Sequence, residues 1–201
     1  AAQIVLFRAD GMLDVESTNK AIGNTLQNVD RAVIPGFYGA MPDGTICTFS
    51  RGGSDVTGSI VARAVGAALY ENWTDVSGVL AADPRIVENP RMIDYITYRE
   101  LRELSYMGAS VLHEDAVFPV RQANIPINIR NTNCPTDPGT FIVPTLPTTA
   151  HKRKITGVAG RKGFSSIYVE KSMMNGEVGF VAKLLDIFAR HRIPFEHCPS
   201  G

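Results

Sequence analysis

Apolar residues recur at helical spacing most clearly between Asp55 and Tyr70, where Val56, Ile60, Val61, Ala64, Val65, Ala68 and Leu69 share one face. That pattern predicts a helix, with Ser54 or Asp55 placed to cap its N-terminus. Upstream, QIVLFR at 3–8 reads as a short buried strand and Ala32 to Phe37 as a second one at the turn-former Gly36. The polar stretch between them carries a weaker helical pattern. The Asp-Gly of MPDGT, 41–45, predicts a hairpin over Tyr38 to Phe49. Beyond the long helix a short strand is expected around Asn72 to Asp75, followed by a loop rich in Gly, Asp and Pro. Residues 98–107 and 114–122 read as helices, and IPINIRNT, 125–132, as a further buried strand.

Strands alternating with helices predict an α/β layer architecture with a largely parallel sheet, in which ligands sit beyond the carboxyl ends of the strands. The texture changes at PTLPTTAHKRK, 144–154, where prolines, threonines and a basic cluster read as a linker. Past it the pattern restarts. KITGVAGRKGFSSIYVEKS offers two strands' worth of β-formers, Val181, Leu184, Leu185 and Phe188 mark a helical face, and IPFEHCP reads as a closing strand. The expected organisation is one α/β domain over 1–143, a linker over 144–154 and a small α+β module over 155–201.

Composition narrows the function classes. The 201 residues are 44% hydrophobic with a formal net charge of zero, which disfavours a uniformly basic nucleic-acid binder or an acidic tail. Three cysteines, an odd number without CxxC spacing, read as reduced thiols rather than a metal or disulfide set. No apolar run approaches the ~18 residues that span a bilayer, and the N-terminus has no basic-then-apolar signal pattern. The chain therefore reads as a cytoplasmic protein without a membrane partner. It opens without Met at AAQIVLFRADG and closes at EHCPSG directly after an apparent strand, so both ends read as cut from something longer.

Two clusters could carry chemistry. In TFSRGGSDVTG, 48–58, Gly52 and Gly53 remove side chains where the chain turns into the helix, so a ligand could approach the first-turn N–H groups, which favour an anion. Arg51 adds a fork-shaped donor suited to carboxylate or phosphate. The alternative is a tight connection in which Ser54 and Asp55 only cap the helix. In WTDVSGVLAADPRIV, 73–87, Thr74 and Asp75 end a predicted strand, and Asp83, Pro84 and Arg85 follow on a loop; a pair of turns with a solvated Arg85 explains the same spacing. His113 and Glu114 lack a second histidine at ligand spacing and read as structural or surface residues.

Taken in order, VIPGFYG, TFSRGGSDVTG, WTDVSGVLAADPRIV and YMGASVLHEDAVFPV resemble the aspartate kinases of the amino-acid kinase superfamily. Residues from about 32 to 143 resemble the C-terminal half of the catalytic domain, and those from about 153 the first ligand-binding ACT module. The resemblance implies an amino-acid-kinase-like three-layer α/β sandwich followed by a partial ferredoxin-like α+β module. It implies ATP-dependent phosphorylation of the β-carboxylate of L-aspartate, with Mg2+ on the phosphates, as the first step of lysine, threonine and methionine biosynthesis.

By the same resemblance, Arg51, Gly52, Gly53, Ser54 and Asp55 would hold the substrate aspartate beside Phe37, with Arg51 and Asp55 as the catalytic pair. Thr74, Asp75 and Arg85 would face the nucleotide. The loop carrying Ser172, Met173, Asn175, Gly176 and Gly179, with the segment near Glu196, would border a site for an amino-acid effector, lysine foremost. Homo-oligomers through paired ACT modules are implied as well. Two departures stand out: the family's Lys-Phe-Gly-Gly motif does not occur, so this chain alone would lack half its active site, and Ser110 stands where many relatives carry a nucleotide-binding lysine. A non-catalytic regulatory chain that binds an amino acid, or a related kinase acting on glutamate or a nucleotide, are the rival readings.

Overall fold

The structure is a computed structural model that describes residues 1–106, 112, 114–150, 153–160 and 162–199. Ser110 and His113, singled out in the sequence, lie outside the described residues. The chain divides into two compact units, Ala1–Lys162 and Gly163–Gly201.

In the first unit, helix α1 (Val15–Leu26) begins at Asp14, whose carboxylate accepts the Ser17 N–H at 3.0 Å and so satisfies one of the orphan donors of the first turn. The hairpin predicted from the Asp-Gly signal forms: β1 (Tyr38–Ala40) pairs antiparallel with β2 (Ile46–Thr48), Tyr38 opposite Thr48, with Gly44 at φ +84° in the turn. Helix α2 spans Gly53–Ala64 and leads into β3 (Tyr70–Thr74). Then come β4 (Tyr95–Thr97), α3 (Tyr98–Tyr106), α4 (Glu114–Gln122), β5 (Ile127–Asn131) and β6 (Thr140–Val143). The four-stranded sheet runs β3-β5-β6-β4; β3 with β5 and β4 with β6 are parallel, while β5 and β6 are antiparallel. This is the mixed α/β, mostly parallel sheet that the alternation predicts.

The core sits where that sheet meets its helices. Ile96, Ile127, Ile129 and Ile142 are wholly buried on the strands, covered by Val56 and Ile60 of α2 and by Ala116 and Val120 of α4. Burying each of the larger side chains contributes about 1.5–3 kcal/mol. Helix α2 is the hub, packing on α1, α4 and β3, which fixes its N-terminus relative to the carboxyl end of β3.

Several expected elements are shorter or missing. At 3–8 there are only single bridges, Leu6 with Ala40 and Phe7 with Leu13, because the Leu6 N–H is taken by the Thr18 hydroxyl at 2.9 Å. Residues 32–37 have no ladder, and the strand starts at Tyr38. The helix expected from Asp55 to Tyr70 ends at Ala64, since Gly66 turns the chain at φ +61°. The apolar residues that continue the pattern, Val65, Ala68 and Leu69, are exposed in the connection to β3.

Segment 144–160 joins the first unit: the Val158 N–H donates to the Ala81 carbonyl at 2.7 Å and Arg91 Nη2 to the Thr156 carbonyl at 3.2 Å. The second unit carries a short 3-10 turn, Met174–Gly176, and helix α5, Phe180–Arg190, whose apolar face is the predicted one. The strands expected within 153–171 and at IPFEHCP do not form among the described residues. A β-former becomes a strand only where a neighbour takes its N–H and C=O groups. No helix among the described residues is long and apolar enough to cross a membrane.

Candidate active site

Helix α2 starts without a side-chain cap. Its N-cap is Gly52 at φ +58°, so Ser54 and Asp55 stand second and third inside the helix and neither fills the capping role expected of one of them. The first main-chain bond of the helix is from Val56 N–H to the Gly52 carbonyl. Among the described residues no acceptor meets the N–H groups of Gly53, Ser54 and Asp55. Together with the helix dipole they form a positive end open to an anion.

The two glycines are required for different reasons. Gly52 adopts a left-handed conformation that other residues enter at a cost. Gly53 is in contact with an aromatic ring: a Cβ there would lie 2.7 Å from Phe37 Cδ2. Phe37 is itself held at φ +80°, a sparsely populated region for a bulky residue, with 45% of its surface exposed. Two bonds hold it in that state, from its N–H to Thr57 Oγ1 at 3.1 Å and from the Phe49 N–H to its carbonyl at 3.0 Å. The Thr57 hydroxyl donates in turn to the Gly53 carbonyl at 2.7 Å, so one buried side chain couples the Phe37 turn to the helix start. Strain of this kind costs about 1–3 kcal/mol and persists where the surroundings over-determine it.

Arg51 is exposed and makes no hydrogen bond or ion pair with any described residue. Ser54 and Thr57 of α2 also line a hollow of about 310 Å³, with Gly36, Gly58, Ala32, Ile34 and Val61; Arg51 is not among its lining residues. Asp55 faces β3, where Asn72 Nδ2 donates to its Oδ1 at 3.0 Å and the Tyr70 hydroxyl to its carbonyl at 3.1 Å. The sequence thus places Phe37 and Gly52 to Asp55 in one constellation, and the structure brings them together.

Thr74 and Asp75 stand where β3 ends, with the Thr74 hydroxyl donating to Asp75 Oδ1 at 3.2 Å. The Thr74 carbonyl accepts both the N–H and the hydroxyl of Thr132, at 2.8 and 2.9 Å. Ser77 donates to Asp137 Oδ2 at 2.6 Å and accepts from Asn131 Nδ2 at 2.9 Å. These bonds tie the carboxyl ends of the parallel strands β3 and β5 into a rim, the place where ligands bind in such sheets.

Arg85 behaves otherwise. Its guanidinium forks onto Asp83, Nε to Oδ1 at 3.0 Å and Nη2 to Oδ2 at 2.6 Å, and is 86% exposed. The Arg85 hydrogen bonds hold the Asp83 carboxyl down at about 2. Arg85 makes no hydrogen bond or ion pair with Thr74 or Asp75.

In the second unit, Met173 (φ +58°, 90% exposed) opens the Met174–Gly176 turn that contains Asn175, and Gly179 at φ +76° caps α5. Ser172 is exposed beside them. Between them Glu177 accepts from two ammonium groups, Lys171 and Lys183, the latter at 2.7 Å, and those bonds hold its carboxyl down at about 2.

Thr57, Tyr70 and Asn72 escape a motif-based reading. A signal existed for Asn72: it is a polar residue at inward parity in a run of β-formers.

The chain is 48% identical over 169 residues to "Aspartokinase 3" of Bacillus subtilis, a match that covers 84% of this chain and 37% of that protein. Among solved structures it superposes on the aspartate kinase of Clostridium acetobutylicum with TM-score 0.86 and 51% identity, over 100% of this chain and 46% of that one. Escherichia coli aspartokinase III, in complex with aspartate and ADP, superposes with TM-score 0.70 at 25% identity, over 99% and 45%. The chain thus spans less than half the length of each of these three relatives. The amino acid kinase family model matches residues 2–131, a stretch that holds the Phe37 turn, the open start of α2 and the β3–β5 rim; the chain belongs to the amino acid kinase family.

Proposed function

We propose that these residues belong to an aspartate kinase, which transfers the γ-phosphoryl group of ATP to the β-carboxylate of L-aspartate to give 4-phospho-L-aspartate. The observation that carries this reading is the open N–H groups of Gly53, Ser54 and Asp55, with Phe37 packed on Gly53 and with the exposed Arg51, without a partner among the described residues, directly before the turn in sequence. Arg51 offers a fork that fits a substrate carboxylate, and Ser54 and Asp55 supply the polar contacts. Thr74 and Asp75 at the β3–β5 rim are the nucleotide side. Arg85 joins them only by presenting the edge of its guanidinium that Asp83 does not use.

The acceptor is a carboxylate, already ionised at neutral pH, so no general base is needed. Rate acceleration then rests on alignment and on donors that neutralise the phosphates. Magnesium, when bound with ATP, would neutralise phosphate charge, and one or two protein carboxylates would suffice to hold it. Among the described residues Asp75 on the rim is the carboxylate that would serve.

The turn at 172–179 is the candidate effector site, and lysine is the effector that the resemblance to aspartate kinases implies. Glu177 in that turn is already engaged by Lys171 and Lys183, so the contacts to an effector fall to Ser172 and to the main chain of the turn. Pairing of such modules between copies of the chain belongs to the same proposal, with inhibition following if the effector prefers one arrangement.

The test uses a polypeptide that carries these residues at the full length of the curated relatives. With ATP, Mg2+ and L-aspartate, hydroxylamine should trap an acyl phosphate; none would be trapped if the chain were a regulatory protein. Arg51→Ala should raise the KM for aspartate by roughly ten- to hundredfold, the loss of about 1.5–3 kcal/mol from a charged hydrogen bond, and move that for ATP far less. Equal losses would restore the phosphate-cradle reading of this turn.

A further inference from the structure

Asparagine is depleted in strands, yet Asn72 sits at the middle of β3, 6% exposed and turned inward. A buried amide needs partners for both of its N–H groups. Asn72 Nδ2 has two acceptors: Asp55 Oδ1 at 3.0 Å and Tyr70 Oη at 3.1 Å. The Tyr70 hydroxyl then donates its own hydrogen to the Asp55 carbonyl at 3.1 Å. Donors and acceptors match one for one, and the three bonds close a ring that ties both the side chain and the main chain of Asp55 to β3.

Access to that ring depends on Gly58. A Cβ there would lie 2.8 Å from Tyr70 Oη, so the missing side chain is the slot through which the phenol reaches the first turn of α2. Burial, with the Asp55 charge adding to it against the Asn72 hydrogen bond, pushes the Tyr70 pKa above its ordinary value, so the hydroxyl stays a donor at neutral pH. Asp55 Oδ2, by contrast, has no partner among the described residues.

We propose that Asn72, backed by Tyr70, is a positioning residue for Asp55: it holds one carboxylate oxygen and leaves the other for a donor on the substrate, which for L-aspartate is its ammonium group. The inference rests on the reading that Arg51 to Asp55 hold the amino-acid substrate. Its physical basis is that a carboxylate fixed through one oxygen has lost the freedom to rotate away, so binding need not order it.

Four variants of the full-length polypeptide test this: Asn72→Val, Tyr70→Phe, Asp55→Asn and the Asn72→Val/Asp55→Asn double. Asn72→Val should raise the KM for L-aspartate by about tenfold, the worth of one hydrogen bond to a charged group, with the KM for ATP unchanged. Tyr70→Phe, which keeps the ring against Gly58, should move the same constant in the same direction by a few-fold. It carries the test if Asn72→Val fails to fold. The double variant should bind aspartate no worse than Asp55→Asn alone, because Asn72 acts through Asp55. If Asp55→Asn raises the aspartate KM while Asn72→Val and Tyr70→Phe do not, the positioning role is lost and the substrate-turn reading stands. If Asp55→Asn leaves the aspartate KM unchanged, both fall. Equal weakening of aspartate and ATP by Asn72→Val and Tyr70→Phe would mark a structural role and overturn the proposal.

Discussion

Gly52 and Gly53 are neighbours that answer different demands, one a backbone conformation and the other the thickness of a phenyl ring. Arg51 beside them has no partner among the described residues, whereas Arg85, an equally attractive arginine on paper, is already engaged by Asp83. That pairing has a pH signature. The folded-state pKa of Asp83 lies near 2, below its usual 3.8, so the stabilisation from the pair is fully present above about 3.8 and is lost as pH falls from there through 2. Carboxyl NMR titration should place the Asp83 midpoint near 2, and Arg85→Gln should return it towards the ordinary range. A wild-type midpoint at the ordinary value would mean the fork is not closed in solution, leaving Arg85 free for a phosphate.

Elements that rest on a strong period or turn signal, α2 and the Asp-Gly hairpin, were legible from the chain alone. Those that rest on a partner were not. Strands β4 and β6 are three and four residues long and carry no pattern of their own; they exist because they pair with each other and because β6 pairs with β5. Thr140 at the start of β6 shows how such short pieces are held. Its buried hydroxyl accepts the Val79 N–H at 2.8 Å and donates to the Ile93 carbonyl at 2.6 Å, and Gly78 leaves room for it. Thr140→Val leaves two buried main-chain groups unpaired and should cost about 2 kcal/mol or more in urea unfolding. Thr140→Ser should recover most of that. A loss below about 0.5 kcal/mol would show that the hydroxyl is not the bridge.

The two units of the molecule differ in how much they bury. All the fully buried apolar residues among those described lie in the first unit, around Ile127, Ile129 and Ile142, while α5 in the second has an apolar face and no buried residue. Amide hydrogen exchange on this chain should therefore protect Ile127 and Ile129 most strongly and leave the amides of 165–170 exchanging near the unprotected rate. Strong protection in 165–170 would mean that this segment has found a strand partner. The alternation of β-formers and the amphipathic helix are local properties, repeated every two or nearly four residues, and the sequence alone determined them. So too with the RGGSD turn, whose five consecutive residues make up the proposed substrate contact. What closes the site is not local: Asn72 reaches Asp55 across 17 positions, Phe37 reaches Thr57 across 20, and Val79 reaches Thr140 across 61. Only the packing of α2 on β3 and of β5 on its neighbours decided those contacts, because a buried donor takes whatever acceptor the folded chain brings within hydrogen-bond distance.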